Sequence, residues 1–367
     1  MKARIFLLAL LLWLPAVAVE AGGRWPAEKA LAWYEQQPWL LGVNYIPATA
    51  VNALEMWQEK TFDPERIDLE LGWAENIGIN TVRVFLHDLV WQDDGDGFKN
   101  RIAVFLGLAE KHHIRVIPVL FDSCWDPDPQ SGDQPEARPG VHNSRWVQSP
   151  GASALRNRQQ YPRLENYVKG VVGAFANDKR VLAWDLWNEP DNTNLLSYGS
   201  AEPEDKQALV AGLLPQVFAW AREADPTQPL TAGMWHPPSQ PLSPTDLILI
   251  ENSDLMSFHS YEGPEHFQRQ VEALKQYGRP ILCTEYMARP LGSTFEAILP
   301  IAKKNNVGAI SWGLVAGKTQ TFLPWDSWQR PYIDRQPAVW FHDIFWSDGS
   351  PYRAGEIAVL LALQHAK

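Results

Sequence analysis

Residues 181–190 read VLAWDLWNEP, an apolar run that ends in an amide, a carboxylate and a proline. A run this apolar belongs in a core, and an unpaired carboxylate is costly to bury. Seven further runs share the β-like, mostly apolar character of strands buried on both faces. They read LGVNYI (41–46), NTVRVFL (80–86), RVIPVLF (115–121), PLTAGMW (229–235), LMSFHSY (255–261), PILCTEY (280–286) and GAISWGL (308–314).

Amphipathic segments separate these runs and predict helices at 63–77, 99–113, 163–176, 204–223, 265–277 and 293–305, with a closing helix at 354–363. Strand and helix alternating about eight times predict an α/β fold, a single-domain (β/α)8 TIM barrel. The alternative is a doubly wound open sheet, which would carry a glycine-rich phosphate turn after its first strand. Residues 43–47 offer no such turn. Four prolines between the fifth and sixth runs leave little room for a long helix: Pro237, Pro238, Pro241 and Pro244.

The first 21 residues have the pattern of a secretory signal peptide. Lys2 and Arg4 precede an apolar stretch at 5–14, and AVA at 16–18 fits a cleavage site. We therefore expect a mature domain at 22–367 that is secreted or periplasmic. A membrane anchor is the alternative, but the stretch is short for a span of about 20 residues. The sequence contains no other run long enough to cross a bilayer.

Composition narrows the class of partner. The net charge of -11 argues against nucleic acid, because binding to a phosphate backbone needs a basic face. The 18 tryptophans fit a carbohydrate cleft in a secreted protein, since indole faces stack on sugar rings, although core packing is the default for any single one. Cys124 and Cys283 fall on distant predicted strands, so we expect two unpaired thiols. We expect a monomer with no cofactor and no metal.

Working groups of a (β/α)8 barrel lie at the carboxyl ends of its strands. The ends of the predicted strands carry Arg83, Asn188, Glu189, His259, Tyr261, Glu285 and Trp312. Each has a structural alternative, such as a buried ion pair or simple packing. Together they include two glutamates that the barrel would bring face to face. Retaining glycoside hydrolysis needs two carboxyl groups about 5–5.5 Å apart.

The set resembles glycoside hydrolase clan A, the cellulase superfamily, and especially its family 5-like enzymes. The motifs that carry the resemblance are Arg83 in TVRVF, Asn188-Glu189-Pro190, His259-x-Tyr261, Glu285 in CTEY and Trp312 in SWG. They span residues 41–312, most of the mature chain. The resemblance implies a retaining β-glycoside hydrolase that cleaves O-glycosidic bonds of oligo- or polysaccharides by double displacement with two glutamates.

The resemblance also implies a role for each residue. Glu189 is the expected acid/base and Glu285 the expected nucleophile. Asn188 is expected to hydrogen-bond the sugar 2-hydroxyl, a contact that strengthens in the transition state. A nearby arginine and tyrosine would keep the nucleophile ionised, and its charge would raise the pKa of the acid.

Four further side chains complete the implied site. Arg83 and Tyr261 are expected to hold the nucleophile. His259 is expected to contact the acid/base or the sugar. Trp312 is expected to form the floor of the subsite that binds the reacting sugar.

The sequence departs from the family at the end of the third strand, where many family 5 enzymes carry histidine. Here residues 121–125 read FDSCW, so Asp122 either binds sugar hydroxyls or caps the loop, and Trp125 is a further candidate substrate contact. The long loop at 125–160 is expected to form one side wall of the cleft. After the eighth strand, Lys318, Gln320 and Trp325 are candidate subsite residues or parts of a solvated loop.

Two other functions remain open from the sequence. One is a carbohydrate-binding barrel without catalysis, which has no need for two facing carboxyl groups. The other is a transglycosylase that uses the same covalent intermediate. It differs from a hydrolase only in whether a sugar or water reaches that intermediate.

Overall fold

Eight parallel strands close into one barrel in the computed structural model, which describes residues 23–235 and 241–365. The strands follow chain order: β1 (Leu41–Asn44), β2 (Thr81–Phe85), β3 (Arg115–Asp122), β4 (Trp184–Asn188), β5 (Leu230–Met234), β6 (Met256–Ser260), β7 (Ile281–Tyr286) and β8 (Gly308–Trp312). The predicted (β/α)8 barrel is therefore confirmed. The predicted signal peptide and the prolines at 237 and 238 lie outside the described residues.

Helices surround the barrel. They are α1 (Ala27–Glu35), α2 (Ala53–Trp57), α3 (Pro64–Asn76), α4 (Asp88–Lys111), α5 (Ala152–Arg156), α6 (Tyr161–Ala174), α7 (Lys206–Glu223), α8 (Pro244–Asn252), α9 (Pro264–Lys275), α10 (Phe295–Lys304) and α11 (Ala354–His365). None of the described helices is both long and apolar enough to span a membrane.

Local sequence explains where several of these helices begin. Asp63 caps α3 by accepting a hydrogen bond from the Arg66 backbone N–H, and a proline fills the first turn. Among the described residues of the proline-rich interval before β6, the helix is the nine-residue α8, which Ser243 opens with a capping box. Helix α4 begins well before the predicted residue 99. An earlier helical segment joins it across a kink at Asp94.

The strands are buried along nearly their whole length, as their apolar runs predict. Trp184 and Trp187 of β4 are almost fully enclosed. Both cysteines are free thiols, as expected: Cys283 is buried in β7 and Cys124 follows β3. One sequence-based boundary is wrong, because β2 continues to Phe85 and so places Arg83 within the strand rather than at its end.

Register shifts occur near the carboxyl ends of three strands. They fall between Asp185 and Asn188 in β4, at Phe258/His259 in β6, and after Cys283 in β7. In a regular strand, residues three apart face opposite sides, so Asp185 and Asn188 could not meet the same partner. The irregularity in β4 turns both into the barrel interior, as bulges next to active sites commonly do.

Candidate active site

Arg83 is the centre of a buried polar cluster inside the barrel mouth. Its guanidinium donates through Nε to Asp185 Oδ2 at 2.9 Å and through Nη2 to Asn188 Oδ1 at 2.7 Å. Nη1 donates to Asn44 Oδ1 at 2.8 Å and to Glu285 Oε1 at 2.9 Å. The arginine has no exposed surface, and a buried cation needs this degree of pairing. One cation on β2 thus fixes groups from β1, β4 and β7.

Glu285 receives a second strong donor from β6. The Tyr261 hydroxyl donates to Glu285 Oε2 at 2.6 Å, and His259 Nδ1 lies 3.4 Å from the same oxygen. His259 and Tyr261 are two residues apart and reach the same carboxylate, as the alternation of a strand predicts. Hydrogen bonds to an ionised group favour its charged form. Arg83 and Tyr261 therefore both favour the ionised form of Glu285.

Glu189 has a different set of neighbours. His259 Nδ1 lies 2.5 Å from Glu189 Oε1, and Asn192 Nδ2 donates to Oε2 at 2.6 Å. The Cys124 thiol donates to the same Oε2 at 3.0 Å. The backbone of Glu189 is left-handed, with φ of 46°. This conformation is uncommon for a non-glycine residue, and such strain concentrates at functional sites.

The two carboxyl groups are close enough to interact. One carboxylate oxygen of Glu189, one of Glu285 and a ring nitrogen of His259 all lie within 4.8 Å of one another. Both glutamates are buried, at 7% and 4% exposure. Burial is the main cause that raises the pKa of Glu285, the nearby Glu189 adds to the rise and Arg83 and Tyr261 oppose it, so that the pKa lies at about 7.

His259 supplies no positive charge to this pair at neutral pH. Burial lowers the pKa of His259 to about 4, so the imidazole is neutral. Two carboxylate oxygens and an imidazole nitrogen are also atom types that bind divalent cations. The Arg83 guanidinium already binds one of the carboxylates and would repel a cation placed there. The arrangement therefore fits acid–base chemistry better than metal binding.

Asp122 lies beneath Asn188 at the end of β3. Its Oδ1 accepts hydrogen bonds from Asn188 Nδ2 and from the Cys124 backbone N–H, both at 2.9 Å. Its Oδ2 accepts from Trp146 Nε1 at 2.6 Å. This geometry matches loop capping, one of the two alternatives open from the sequence. It also orients the Asn188 amide, whose oxygen is held by Arg83.

Aromatic side chains line the mouth beside Glu285. Trp312 is half-buried, with its ring centre 5.6 Å from that of Phe85 and 6.1 Å from that of Trp146. Trp325 meets the Tyr261 ring edge-on at 5.2 Å. Trp325 therefore contacts a residue of the polar cluster, and Trp312 packs on Phe85, whose ring lies 4.9 Å from the Arg83 guanidinium carbon.

The remaining candidates take part in contacts between loops. Lys318 Nζ forms an ion pair with Glu55 Oε1 at 2.7 Å. Gln320 accepts from the Gly140 backbone N–H at 2.9 Å. Trp125 stacks on Trp328 at 5.4 Å. Each of these three candidate sugar contacts is thus held by another loop.

Four polar residues of the cluster were not singled out from the sequence. Asn44 and Asp185 interrupt otherwise apolar strands, and this interruption is the signal that could have identified them. Cys124 and Asn192 lie in loops, where no periodic pattern indicates which way a side chain points. All four contact Arg83 or Glu189 directly.

The chain is similar to known proteins in its fold. No family model matches the chain, and no curated protein matches it. Solved structures do match. GH5_18 from Streptomyces cattleya in complex with Manβ1-4GlcNAc has a TM-score of 0.60 at 13% identity, covering 89% of this chain and 81% of that one.

Two other solved structures share the barrel. The β-1,4-D-mannanase from Cryptopygus antarcticus has a TM-score of 0.59 at 12% identity, covering 90% of this chain and 91% of that one. The exo-β-1,4-mannosidase Op5Man5 from Opitutaceae bacterium strain TAV5 has a TM-score of 0.57 at 18% identity, covering 89% of this chain and 59% of that one. At these identities the likeness shows a shared fold.

Proposed function

We propose that the protein is a retaining β-glycoside hydrolase that cleaves O-glycosidic bonds of oligo- or polysaccharides. One observation carries the proposal. Two buried glutamates at the ends of β4 and β7 approach within 4.8 Å, and a cation and a phenol favour the ionised form of only one of them. Retaining enzymes place their carboxyls about 5–5.5 Å apart, whereas inverting enzymes need room for a water between them.

The hydrogen bonds support a different role for each glutamate. Arg83 and Tyr261 both stabilise negative charge on Glu285, so this residue acts as the nucleophile. In the proposed mechanism the reactive form has Glu285 ionised and the proton on Glu189, next to the neutral His259. A carboxylic acid kept protonated beside an ionised partner is the requirement for general acid catalysis.

The first step forms a glycosyl ester. A Glu285 carboxylate oxygen attacks the anomeric carbon as the bond from that carbon to the leaving oxygen breaks. The Glu189 proton transfers to the leaving oxygen, so the aglycone departs as a neutral alcohol. Asn188 is held by Arg83 and Asp122 and is placed to donate to the sugar 2-hydroxyl.

The second step regenerates the enzyme. The Glu189 carboxylate takes a proton from water while the water oxygen attacks the anomeric carbon. The ester bond to Glu285 breaks and its electrons return to the carboxylate. Attack and re-attack on the same carbon from opposite sides retain the β configuration.

The surroundings of the two carboxyls support a carbohydrate substrate. Trp325 packs on Tyr261, which donates to Glu285, and Trp312 packs on Phe85 nearby, and sugar rings stack on such aromatic surface. The structures of similar fold include β-mannanases and a β-mannosidase, so a β-mannosyl glycone is the first to test. A secreted or periplasmic monomer fits this role.

The acid/base assignment is tested by chemical rescue. Glu189→Ala should lose most activity on glycosides with poor leaving groups and least on 2,4-dinitrophenyl glycosides, which need no protonation. Sodium azide should restore turnover of the variant and yield a β-glycosyl azide, detected by NMR. The matched control is Glu262→Ala, which removes an exposed carboxylate after β6 and should behave as wild type. Equal loss on all substrates without an azide product would contradict the assignment.

A further inference from the structure

The proposed reaction sets the direction in which a substrate lies across the barrel. Glu189 at the end of β4 protonates the leaving oxygen, so the aglycone lies on the β4 side. In a closed barrel of eight strands in sequential order, β8 lies opposite β4. The rest of the reacting sugar, including its non-reducing end, therefore extends from Glu285 towards Trp312 and the loop after β8.

A seam between two long loops lies at that end of the site, where the His342 ring contacts both Trp312 and His142. The β3 loop (residues 123–151) and the β8 loop (residues 313–345) are joined by hydrogen bonds to His142 and Asn143. The His142 backbone N–H donates to Ser327 Oγ at 2.9 Å, and its ring Nδ1 lies 2.7 Å from the Leu323 carbonyl. The Asn143 backbone N–H donates to the Thr319 carbonyl at 2.7 Å.

Glycine permits direct backbone contact at this seam. A Cβ on Gly140 would lie 2.6 Å from the Tyr332 backbone, and the Gly140 φ of 71° also disfavours a side chain. A Cβ on Gly317 would lie 2.4 Å from Ala48 Cα in the loop after β1. Backbones this close leave no channel for a sugar between them.

Neighbouring loops extend the seam on both sides. On the β1 side, the Lys318 backbone N–H donates to the Ala48 carbonyl at 3.0 Å. On the β4 side, Gln329 of the β8 loop donates to the Leu196 carbonyl at 3.0 Å, and Tyr198 packs edge-on against Trp328 at 5.2 Å. The wall thus runs continuously from the β1 loop past the β8 and β3 loops to the β4 loop.

The wall also reaches the catalytic pair itself. Trp325 projects from the β8 loop and packs on Tyr261, the residue that donates to Glu285. On the aglycone side, Trp235 follows β5 with 38% of its surface exposed. Its indole Nε1 donates to Asp191 Oδ1 at 2.9 Å, two residues after Glu189. An oriented, exposed indole there offers a stacking face to the leaving group.

We propose that the site is a pocket closed at its glycone end, so that the enzyme removes one sugar at a time from the non-reducing end of β-linked chains. The inference rests on the hydrolase function proposed above. Beyond that function, the inference predicts which bond of a sugar chain is cut. An endo-acting enzyme would need space for further sugars beyond Trp312, where the seam lies.

The test uses the wild-type protein and two β-1,4-linked tetrasaccharides labelled at the reducing end with 2-aminobenzamide. One has a free non-reducing terminus and the other carries a 4-O-benzyl group there. We expect the labelled trisaccharide as first product from the free substrate. Cleavage of the blocked one should be about 100-fold slower, because the added ring meets packed backbone. Comparable cleavage of the blocked substrate, or labelled disaccharide as first product, would overturn the proposal.

A pair of glycine variants tests whether the seam is the cause. Gly140→Ala should separate the two loops and raise the relative rate on the blocked substrate. Gly132→Ala is the control, because it also adds a Cβ at positive φ in the β3 loop but meets nothing within 4 Å. Failure of the hydrolase function itself is distinguishable. In that case neither substrate is cleaved, and no 2-deoxy-2-fluoro glycoside labels the protein.

Discussion

Glu285→Gln should stabilise the protein at alkaline pH while it abolishes turnover. Burial raises the pKa of this carboxyl from 4.5 to about 7 in the folded state. The folded chain therefore binds more protons than the unfolded chain between those two values, and wild-type stability falls as pH rises through that range. Glutamine carries no charge and avoids this loss. Arg83 keeps its ion pair with Asp185 in the variant.

The linkage relation gives the size of the effect. The Glu285 carboxyl has a pKa of about 7 in the folded protein and 4.5 in the unfolded chain. Relative to the variant, the wild-type protein therefore loses about 2 kcal/mol of unfolding free energy between pH 5 and pH 8. Urea unfolding followed by tryptophan fluorescence at both pH values measures the difference. The exposed Glu136→Gln serves as control and should show no such change. The opposite outcome would be a stability of Glu285→Gln, relative to wild type, that is lower at pH 8 than at pH 5, and it would contradict this linkage.

Three further substitutions probe the neighbours of the two glutamates. Tyr261→Phe removes the hydroxyl that donates to Glu285 at 2.6 Å and should move the acidic limb of the kcat/KM profile to higher pH; an unmoved limb would contradict the role. Cys124→Ala should lower kcat about 5-fold, because Glu189 loses a donor worth about 1 kcal/mol, whereas Cys124→Ser keeps a donor and should retain activity. Arg83→Met should destabilise the fold by about 3–5 kcal/mol at pH 8, and less at pH 5 where Asp185 and Glu285 are more protonated; urea unfolding that shows equal loss at both pH values would contradict this.

The barrel was predictable because its signal is local. Each strand is a short apolar run, each helix has its own period, and caps such as Asp63 are recognisable in the sequence. The positions of Glu189 and Glu285 followed from the rule that functional groups lie at carboxyl ends of barrel strands. The pairing of His259 with Tyr261 followed from strand alternation.

The finer geometry depends on interactions that sequence patterns do not encode. The irregularity in β4 lets Asp185 and Asn188 share Arg83, and a period of two residues gives no indication of it. Gln320 meets Gly140 across 180 positions of sequence, so the seam was visible only once both loops had been placed. The expectation that the loop at 125–160 walls the cleft named the segment but not its partner.

Covalent trapping identifies the nucleophile directly. The protein would be incubated with 2-deoxy-2-fluoro β-glycosyl fluorides of mannose, glucose, galactose and xylose, which form the ester quickly and hydrolyse it slowly. Intact mass and peptide mapping then locate the sugar. We expect one added fluorosugar per chain, attached to Glu285, from at least one of the four reagents. A label on any other residue, or no label from all four, would contradict it.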